Sequence, residues 1–194
     1  TDSRYNWTRY CDYLGYAMQD PNSRKYIKGV GYQWAGRNAL MQTQDDFPNL
    51  EIIQTESQCG DGQNSWEHAM FIYDLARIYF RFGTTAYVYW NIALEEDGLS
   101  TWGWRQNSLV TVKDNKAIFN PEYYLMKHCS HFVKRNAKYV KLNGEYSSNC
   151  IAFINPDGSK VVLAKNPYKT EQIITIEGNS YLLPVDSIST ITID

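Results

Sequence analysis

The stretch LEIIQTESQCGDGQNSWEHAMFIYDLARIYFRFGTTAYVYWNIAL, residues 50–94, decides the fold class of this chain. It opens with a short apolar run at 50–56 and closes with a second apolar run at 84–94. Between them, residues 64–83 have the apolar spacing of a helix, with Asn64 or Ser65 suited to cap it and Gly83 to end it. Strand, helix and strand in this order predict a parallel β/α unit.

The preceding sequence extends this pattern by one more unit. KYIKGVGYQW at 25–34 predicts a strand, and RNALMQTQDDF at 37–47 predicts a helix. Residues 1–25 predict a helix that places Tyr10, Tyr13, Leu14 and Ala17 on one face and stops at Asp20-Pro21-Asn22. We therefore expect three parallel strands with helices between them, the third strand being apolar enough to be buried on both faces.

Beyond residue 94 the sequence changes character twice. A loop rich in Trp and Gly is expected at 95–108, and NPEYYLMKHCSHFVKR at 120–135 predicts a helix with Pro121 in its first turn. From residue 137 short alternating runs separated by turns predict antiparallel strands, with Asp157-Gly158 as a hairpin turn. The sequence thus predicts an α/β part at 1–136 and an antiparallel β domain at 137–194.

Composition excludes several classes of function. The formal net charge of −2 gives no electrostatic reason to expect a nucleic-acid partner, and no apolar run reaches the roughly 20 residues that cross a bilayer. The four cysteines have no zinc spacing, and His128 and His131 alone are too few for a metal site. The chain is rich in aromatic residues, 16 Tyr, 6 Trp and 7 Phe, which suits a packed core and also the binding of sugar rings.

Glu56 is the leading candidate for chemistry, because it ends the run at 50–56. The carboxyl ends of parallel strands form the active face of α/β folds, so a carboxylate there could serve as a nucleophile or an acid. The plain alternative is a solvated glutamate or one paired with a lysine. The neighbouring strands end in Tyr32-Gln33-Trp34 and in Trp90-Asn91, and these groups should converge with Glu56 on one cleft. The alternative for the rings is that they cap the core.

The loop at 95–108 carries two further candidates, Trp102 and Trp104. Aromatic side chains on loops are harder to explain as core than those on strands, so these two could line a substrate wall. The alternative is a packed loop that covers its own hydrophobic surface.

Five segments of the chain resemble one family in order and spacing. GVGYQW, QTESQCG, YVYWNIALEEDG, NPEYYLMKHCSHFVK and INPDGSKVVL are similar to segments of glycoside hydrolase family 30, the family of glucosylceramidase. The resemblance covers essentially the whole chain. It implies the sixth to eighth β/α units of a (β/α)8 TIM barrel at 1–136, followed by a small antiparallel β-sandwich domain at 137–194.

The resemblance also implies roles for individual residues. TESQC is similar to the family motif that carries the catalytic nucleophile, which would be Glu56. Trp90 and Asn91 match a Trp-Asn pair at the family's eighth strand, which implies substrate contacts, and Trp34 matches an aromatic residue at its sixth strand. Gln33 and Ala35 depart from the glucosylceramidase pattern, which has histidine and tyrosine there. The family's acid/base glutamate lies in an Asn-Glu-Pro motif that this sequence does not contain, so it is expected upstream of residue 1.

The expected function is therefore that of a retaining β-glycoside hydrolase without metal or organic cofactor, acting on a β-linked glycan or glycolipid. Glucosylceramide, a β-1,6-glucan, a simple β-glucoside and a β-xyloside all remain open as substrates. Gln33 and Tyr32 are the expected donors that keep Glu56 ionised. The chain alone should be inactive, and it should associate with the N-terminal half of the barrel or with itself. The alternatives are a non-catalytic carbohydrate-binding module and an inactive fragment; the resemblance favours a secreted protein.

Overall fold

The computed structural model describes residues 14–194, except for the side chain of Ala35. The helices are α1 Tyr16–Gln19, α2 Pro21–Arg24, α3 Leu40–Asp46, α4 Trp66–Arg81 and α5 Pro121–Phe132. The strands are β1 Gly29–Gln33, β2 Glu51–Glu56, β3 Thr84–Tyr87, β4 Ala93–Glu95, β5 Val110–Lys113, β6 Lys116–Phe119, β7 Lys138–Val140, β8 Cys150–Ile154, β9 Lys160–Asn166, β10 Gln172–Ile176, β11 Asn179–Leu183 and β12 Ser187–Ile193. Two compact units form, the first from residues up to Cys59 with Ile78–Ile92, the second from Gly60–Arg77 with Ala93–Asp194.

The first unit is built on a three-stranded parallel sheet in the order β1-β2-β3. Val30 pairs with Ile52, and Ile52 pairs in turn with Thr84. The predicted alternation of parallel strands and helices is thereby confirmed, although three strands do not by themselves form a closed barrel.

One face of this sheet packs against helices and forms the core of the first unit. Val30, Tyr32 and Ile52 of the sheet pack with Leu40 of α3 and Tyr79 of α4. Residues two apart in a strand share a face, so this buried face follows from the alternation in the sequence.

The predicted third strand at 84–94 is wrong in its second half. The strand ends at Tyr87, and Ala93–Glu95 joins a different sheet as β4. At Val88 the backbone N–H donates to the side-chain Oε1 of Gln54 at 2.6 Å as well as lying 3.3 Å from the Gln54 carbonyl. The Val88 N–H is thus shared between the Gln54 side chain and the carbonyl that a regular ladder would use. Thr85 and Ala86 are also exposed, so the strand is not buried on both faces.

The helix boundaries depend on local capping. Ser65, rather than Asn64, caps α4, because its Oγ accepts the His68 N–H at 3.2 Å, and Gly83 follows the helix at φ +80°. The predicted stop at Asp20 is confirmed, since α1 ends at Gln19, and Asp20 also starts a second helix, because its carboxylate accepts the N–H groups of Asn22 and Ser23 at the beginning of α2. Tyr10 and Tyr13, expected on the first helix, lie outside the described residues.

The other predicted segments are shortened. The strand expected at 25–34 covers only Gly29–Gln33. The helix expected at 37–47 begins at Leu40, because Trp34–Ala39 forms a 3₁₀ helix ahead of it. The helix expected at 120–135 runs over Pro121–Phe132, with the proline in its first turn as predicted.

In the second unit the C-terminal strands form two antiparallel sheets. One has four strands in the order β12-β9-β8-β7, and the other pairs β10 with β11. Asp157-Gly158 connects β8 to β9, with Gly158 at φ +89°, which confirms the predicted hairpin. Ile174 and Leu183 of the two-stranded sheet share a core with residues of the larger sheet. The domain boundary at residue 136 stays a prediction.

The second unit also contains a small sheet that the sequence reading missed. Its strand order is β4-β5-β6, and β5 and β6 form a hairpin. Asp114 and Asn115 connect the two strands at φ +49° and +56°, the left-handed values that a two-residue hairpin turn requires. In the described part of the chain, no helix combines the length and apolar character needed to cross a membrane.

Candidate active site

Glu56 lies at the end of β2, as expected, and is half-buried. It pairs with Gln33 of β1, and the pairing register shifts between Tyr32 and Gln33, so that Thr55 is passed over. A β-bulge of this kind redirects the side chains beyond it, and bulges are common beside active sites. The shift brings the residues that follow β1 beside the carboxylate.

Trp34 is the residue that contacts the carboxylate. Its indole Nε1 donates a hydrogen bond to Oε1 of Glu56. The backbone of Trp34 has φ +49°, a left-handed conformation that a bulky residue adopts only at a cost in energy. A hydrogen bond to an ionised carboxylate is stronger than a neutral one, and it fixes the direction in which the second oxygen points.

Trp90 packs against Trp34, the residue that contacts Glu56. Its ring meets the ring of Trp34 edge to face, with 5.6 Å between centroids and 81° between planes. This geometry is favoured between aromatic rings and restricts the rotation of both. Asn91 follows directly and is half-buried. Within the first unit, Trp34 therefore contacts the carboxylate of Glu56 on one side and the ring of Trp90 on the other.

Tyr32 and Gln33 behave differently from one another. Tyr32 is 1% exposed in the core, and its hydroxyl lies 2.5 Å from Oγ1 of Thr43 on α3, so the structure does not bring it to Glu56. Alternation along β1 turns its side chain toward the helices. Gln33 is half-buried and is the ladder partner of Glu56. Of the three residues at this strand end, Trp34 supplies the observed donor.

Trp102 and Trp104 lie in the second unit, on a turn closed by a bridge between Leu99 and Arg105. Their rings are stacked, with centroids 5.4 Å apart and planes at 15°. Exposure of 72% for Trp102 and 48% for Trp104 excludes the reading of a packed loop plug.

The loop after Glu56 is held by a side chain that the sequence reading missed. Asn107, fully buried, accepts the backbone N–H of Gly62 at 2.8 Å and that of Asn64 at 3.3 Å through its Oδ1. Gly60 packs so closely on this amide that an added Cβ would lie 2.4 Å from its Cγ. The two glycines of CGDG, Gly60 and Gly62, are the sequence signal that could have indicated a backbone packed closely against another group.

Asn107 also contacts a buried acid. Its Nδ2 donates to Oε1 of Glu122 at 2.7 Å, and Glu122, in the first turn of α5, is itself fully buried. Burial raises the pKa of this carboxyl, an effect that hydrogen bonds from its own backbone N–H and from Asn107 partly offset and that the charge of Asp61 reinforces. A buried acid at residue 122 cannot be recognised from the sequence NPEYY, where it resembles an ordinary helix-start glutamate.

The two helical histidines have separate environments. Nδ1 of His128 lies 2.6 Å from Oγ1 of Thr190, and burial lowers the pKa of the His128 ring. The ring of His131 packs edge to face on Phe132. Among residues 14–194, no three His, Cys, Asp or Glu side chains come together in a group that could hold a metal ion.

Comparison with known proteins gives consistent matches. Residues 136–191 match the model of the glycosyl hydrolase family 30 beta sandwich domain. Lysosomal acid glucosylceramidase of Mus musculus is 24% identical over 177 residues, which cover 82% of this chain and 34% of that protein. Among solved structures, the endo-β1,6-glucanase BT3312 superimposes with a TM-score of 0.82 at 22% identity, over 93% of this chain and 44% of that one. The catalytic domain of xylanase C from Talaromyces cellulolyticus gives 0.71 at 16% identity, over 98% and 50%.

These relatives are glycoside hydrolases, and the chain spans about a third of the length of the curated relatives it matches. The family-model match, the curated relatives and the shared fold together confirm that the chain resembles the C-terminal portion of glycoside hydrolase family 30 proteins.

Proposed function

We propose that this chain supplies the nucleophile side of a retaining β-glycosidase active site, in which Glu56 is the nucleophile. The observation that carries the proposal is the strand-end carboxylate of Glu56, oriented by the indole of Trp34. The C-terminal strand ends of parallel β/α units are where catalytic groups of barrel enzymes lie. The three strands are proposed to be the sixth to eighth of a (β/α)8 barrel.

The proposed mechanism is a double displacement. With Oε1 held by Trp34, Oε2 of Glu56 attacks the anomeric carbon while the glycosidic C–O bond breaks. A second carboxyl, roughly 5–5.5 Å away in retaining enzymes, protonates the leaving oxygen and then activates the water that releases the sugar. We propose that this acid is not among the residues of this chain, because the chain has no Asn-Glu-Pro motif. Trp90 and Asn91 are proposed to contact the sugar.

The substrate class is a β-linked glucoside or a related glycan. The relatives are named as a glucosylceramidase, an endo-1,6-β-glucanase and a xylanase, so their names leave the sugar and the linkage open. Gln33, the ladder partner of Glu56, is proposed to contribute to the choice of sugar, since it differs from the glucosylceramidase pattern at a position beside the nucleophile.

The test is covalent labelling in the natural protein that carries these residues, including any upstream segment. A β-glucose-configured cyclitol epoxide should esterify Glu56, as read by mass spectrometry of the peptide that contains it. Glu56→Gln should abolish both labelling and turnover. Glu51→Gln, at the exposed start of the same strand, is the matched control and should retain both. Turnover that survives Glu56→Gln would refute the assignment. The 194-residue chain by itself should show no turnover.

A second candidate function is glycan binding without catalysis, and the stacked, exposed pair Trp102 and Trp104 favours it. A flat indole face can stack on a pyranose ring. Titration with β-glucan oligosaccharides separates the two functions. Binding that survives Glu56→Ala but is lost in Trp102→Ala, with no labelling of Glu56, would favour the binding module.

A further inference from the structure

The buried positions of β2 change phase just before Glu56. Ile52 and Gln54 are buried with one residue between them, which is the regular alternation of a strand. The next buried residue is Ser57, three positions after Gln54, and Glu56 is only half-buried. The alternation breaks at Thr55, the residue that the pairing with β1 passes over.

The pairing with β1 shows what this change does to Glu56. Paired residues of neighbouring strands share a face of the sheet, and Glu56 pairs with Gln33. Tyr32, the residue before Gln33, lies in the core against the helices, so Gln33 and Glu56 point away from that core. In regular alternation Glu56 would share the face of Ile52 and point into the core. The bulge at Thr55 therefore places the carboxylate on the face opposite the helices.

Two contacts with β1 accommodate the bulge. Oγ1 of Thr55 donates to the backbone carbonyl of Tyr32 at 3.2 Å. Gly31 lies against the same threonine, and a Cβ added to this glycine would come within 2.8 Å of Cγ2 of Thr55. The side chain of Thr55 is therefore fitted to β1 in the shifted register.

On the β3 side, the contact is a hydrogen bond between Ser57 and Tyr87. The pairing of β2 with β3 reaches Gln54 and Tyr87, which therefore share a face. Beyond this pair, the hydroxyl of Tyr87 lies 2.9 Å from Oγ of Ser57. Regular alternation would turn residue 57 to the face opposite Gln54 and away from Tyr87. The hydrogen bond therefore depends on the same bulge that turns Glu56 out of the core.

Tyr87 is itself held in place by its ring and its backbone. Its ring contacts Tyr79 of α4 edge to face at 5.8 Å between centroids, and Phe80 at 6.3 Å. The next residue, Val88, donates its backbone N–H to Oε1 of Gln54 at 2.6 Å. The hydroxyl that meets Ser57 thus belongs to a side chain that packing has already ordered.

We infer that Tyr87 and Ser57 are positioning residues for the proposed nucleophile: their hydrogen bond stabilises the bulged register that turns Glu56 out of the core and toward the indole of Trp34. Ser57 follows Glu56 directly in the chain, and all four residues belong to the first unit. The catalytic consequence rests on the proposed function of Glu56. The effect on the strand end can be measured without activity.

The variants remove one hydroxyl at a time. Tyr87→Phe keeps the ring contacts with α4, and Ser57→Ala removes the other side of the same hydrogen bond. Thr85→Val is the matched control, because Oγ1 of Thr85 also joins β3 to β2, at Glu51 and Ile52, but at the opposite end of β2. These three variants and the double variant of Tyr87 and Ser57 are made in the natural protein that carries this chain, including any upstream segment.

The first measurement is amide hydrogen exchange at Ser57, divided by exchange at the buried Tyr79 of α4 to remove changes in overall stability. Tyr87→Phe and Ser57→Ala should each raise the ratio about fivefold, the effect of losing one hydrogen bond between uncharged groups. The double variant should show no further rise, because both substitutions remove one bond. Thr85→Val should leave the ratio unchanged. An unchanged ratio in Tyr87→Phe, or a double variant that multiplies the two single effects, would overturn the inference.

The second measurement is the rate at which the cyclitol epoxide labels Glu56, at a temperature where every variant is folded. It should fall about fivefold in Tyr87→Phe, in Ser57→Ala and in the double variant, and stay unchanged in Thr85→Val. Equally fast labelling in Tyr87→Phe overturns the positioning role while the nucleophile assignment stands. Absence of labelling in the unaltered protein refutes the nucleophile assignment, and hydrogen exchange then still decides whether Tyr87 and Ser57 hold the bulge.

Discussion

Gly60→Ala should be among the most damaging single-methyl additions in the described chain. Gly60 has φ +69°, and an added Cβ would lie 2.4 Å from Cγ of Asn107, 2.6 Å from its Oδ1 and 2.7 Å from its Nδ2. Contacts this short are never tolerated, so some group must move. The amide of Asn107 is the wrong group to move, because three hydrogen bonds hold it.

The magnitude is the sum of three contributions. Alanine in the left-handed region costs about 1–2 kcal/mol. Forcing a methyl group into an occupied site costs about 1–3 kcal/mol more, together with about 1 kcal/mol for a hydrogen bond of Asn107 that is lost. We therefore expect the free energy of unfolding to fall by about 3–6 kcal/mol. Gly103→Ala is the matched control, since Gly103 has φ +88° but no atom within 4 Å of its added Cβ, and it should cost only about 1–2 kcal/mol.

Urea denaturation measures both variants, with unchanged slopes as the condition for comparing them. A double-mutant cycle with Asn107→Ala isolates the contact, because Gly60→Ala should cost no more than Gly103→Ala once the amide is absent. If Gly60→Ala and Gly103→Ala lose equal free energy in the unaltered background, the close packing of loop and amide is refuted.

Three further predictions concern stability, pH and chemistry. Tyr73→Phe should lower the free energy of unfolding by about 1–2 kcal/mol, because the buried hydroxyl lies 2.7 and 2.9 Å from two backbone carbonyls. The exposed Tyr124→Phe should change nothing, and equal losses in urea denaturation would contradict the assignment. Burial raises the pKa of Glu122 above 4.5, so its contribution to stability is present below that pH and is lost as pH rises through the raised pKa. Glu122→Gln does not titrate, and its stability relative to the unaltered protein should therefore grow as the pH rises above 4.5; a difference that is constant with pH would oppose this. Trp34→Phe keeps a ring but removes the donor to Glu56, and steady-state kinetics of the natural protein should show kcat about tenfold lower. An unchanged kcat would show that the indole N–H is not needed.

Periodicity made the regular elements predictable. The strand expected at 50–56 is β2, Glu51–Glu56, and the helix expected at 64–83 is α4, Trp66–Arg81. Both segments repeat apolar residues at the spacing of their own secondary structure. The burial of these residues therefore stabilises the same strand or helix that the local sequence favours. The hairpin at Asp157-Gly158 was predictable for a related reason, since its turn residues tolerate the backbone that the turn needs.

The β5–β6 hairpin was missed although its signal is present. VTVKDNKAIF alternates over residues 110–119, and Asp114-Asn115 is a suitable two-residue turn. The predicted loop at 95–108 ends before this stretch, and no element was predicted between it and the helix at 120–135. All four residues of β6 are exposed, which also weakens the apolar alternation that usually identifies a strand.

The sequence was enough to predict the carboxylate of the candidate site, Glu56, but not the residue that donates a hydrogen bond to it, Trp34. Glu56 could be chosen because it ends a strand, which is a property of its position in the sequence. Trp34 could not be ranked above Tyr32 or Gln33, because its contact depends on a register shift between Tyr32 and Gln33 and on a left-handed backbone. Neither feature has a sequence signature here, since no Gly or Asn stands at residue 34.

The backbone at residue 34 would suit a glycine or an asparagine better than a tryptophan, so the tryptophan needs another explanation. A glycine or an asparagine would adopt φ +49° at lower cost, so the fold alone favours either of them over a bulky ring. The strain, about 1–3 kcal/mol, is of the same size as one hydrogen bond to a charged group. Neither smaller residue has an aromatic N–H that reaches the carboxylate, whereas Trp34 contacts both Glu56 and the ring of Trp90. We therefore attribute the tryptophan at residue 34 to its hydrogen bond with Glu56. The strained backbone is the cost of placing an indole N–H beside the acid at the strand end.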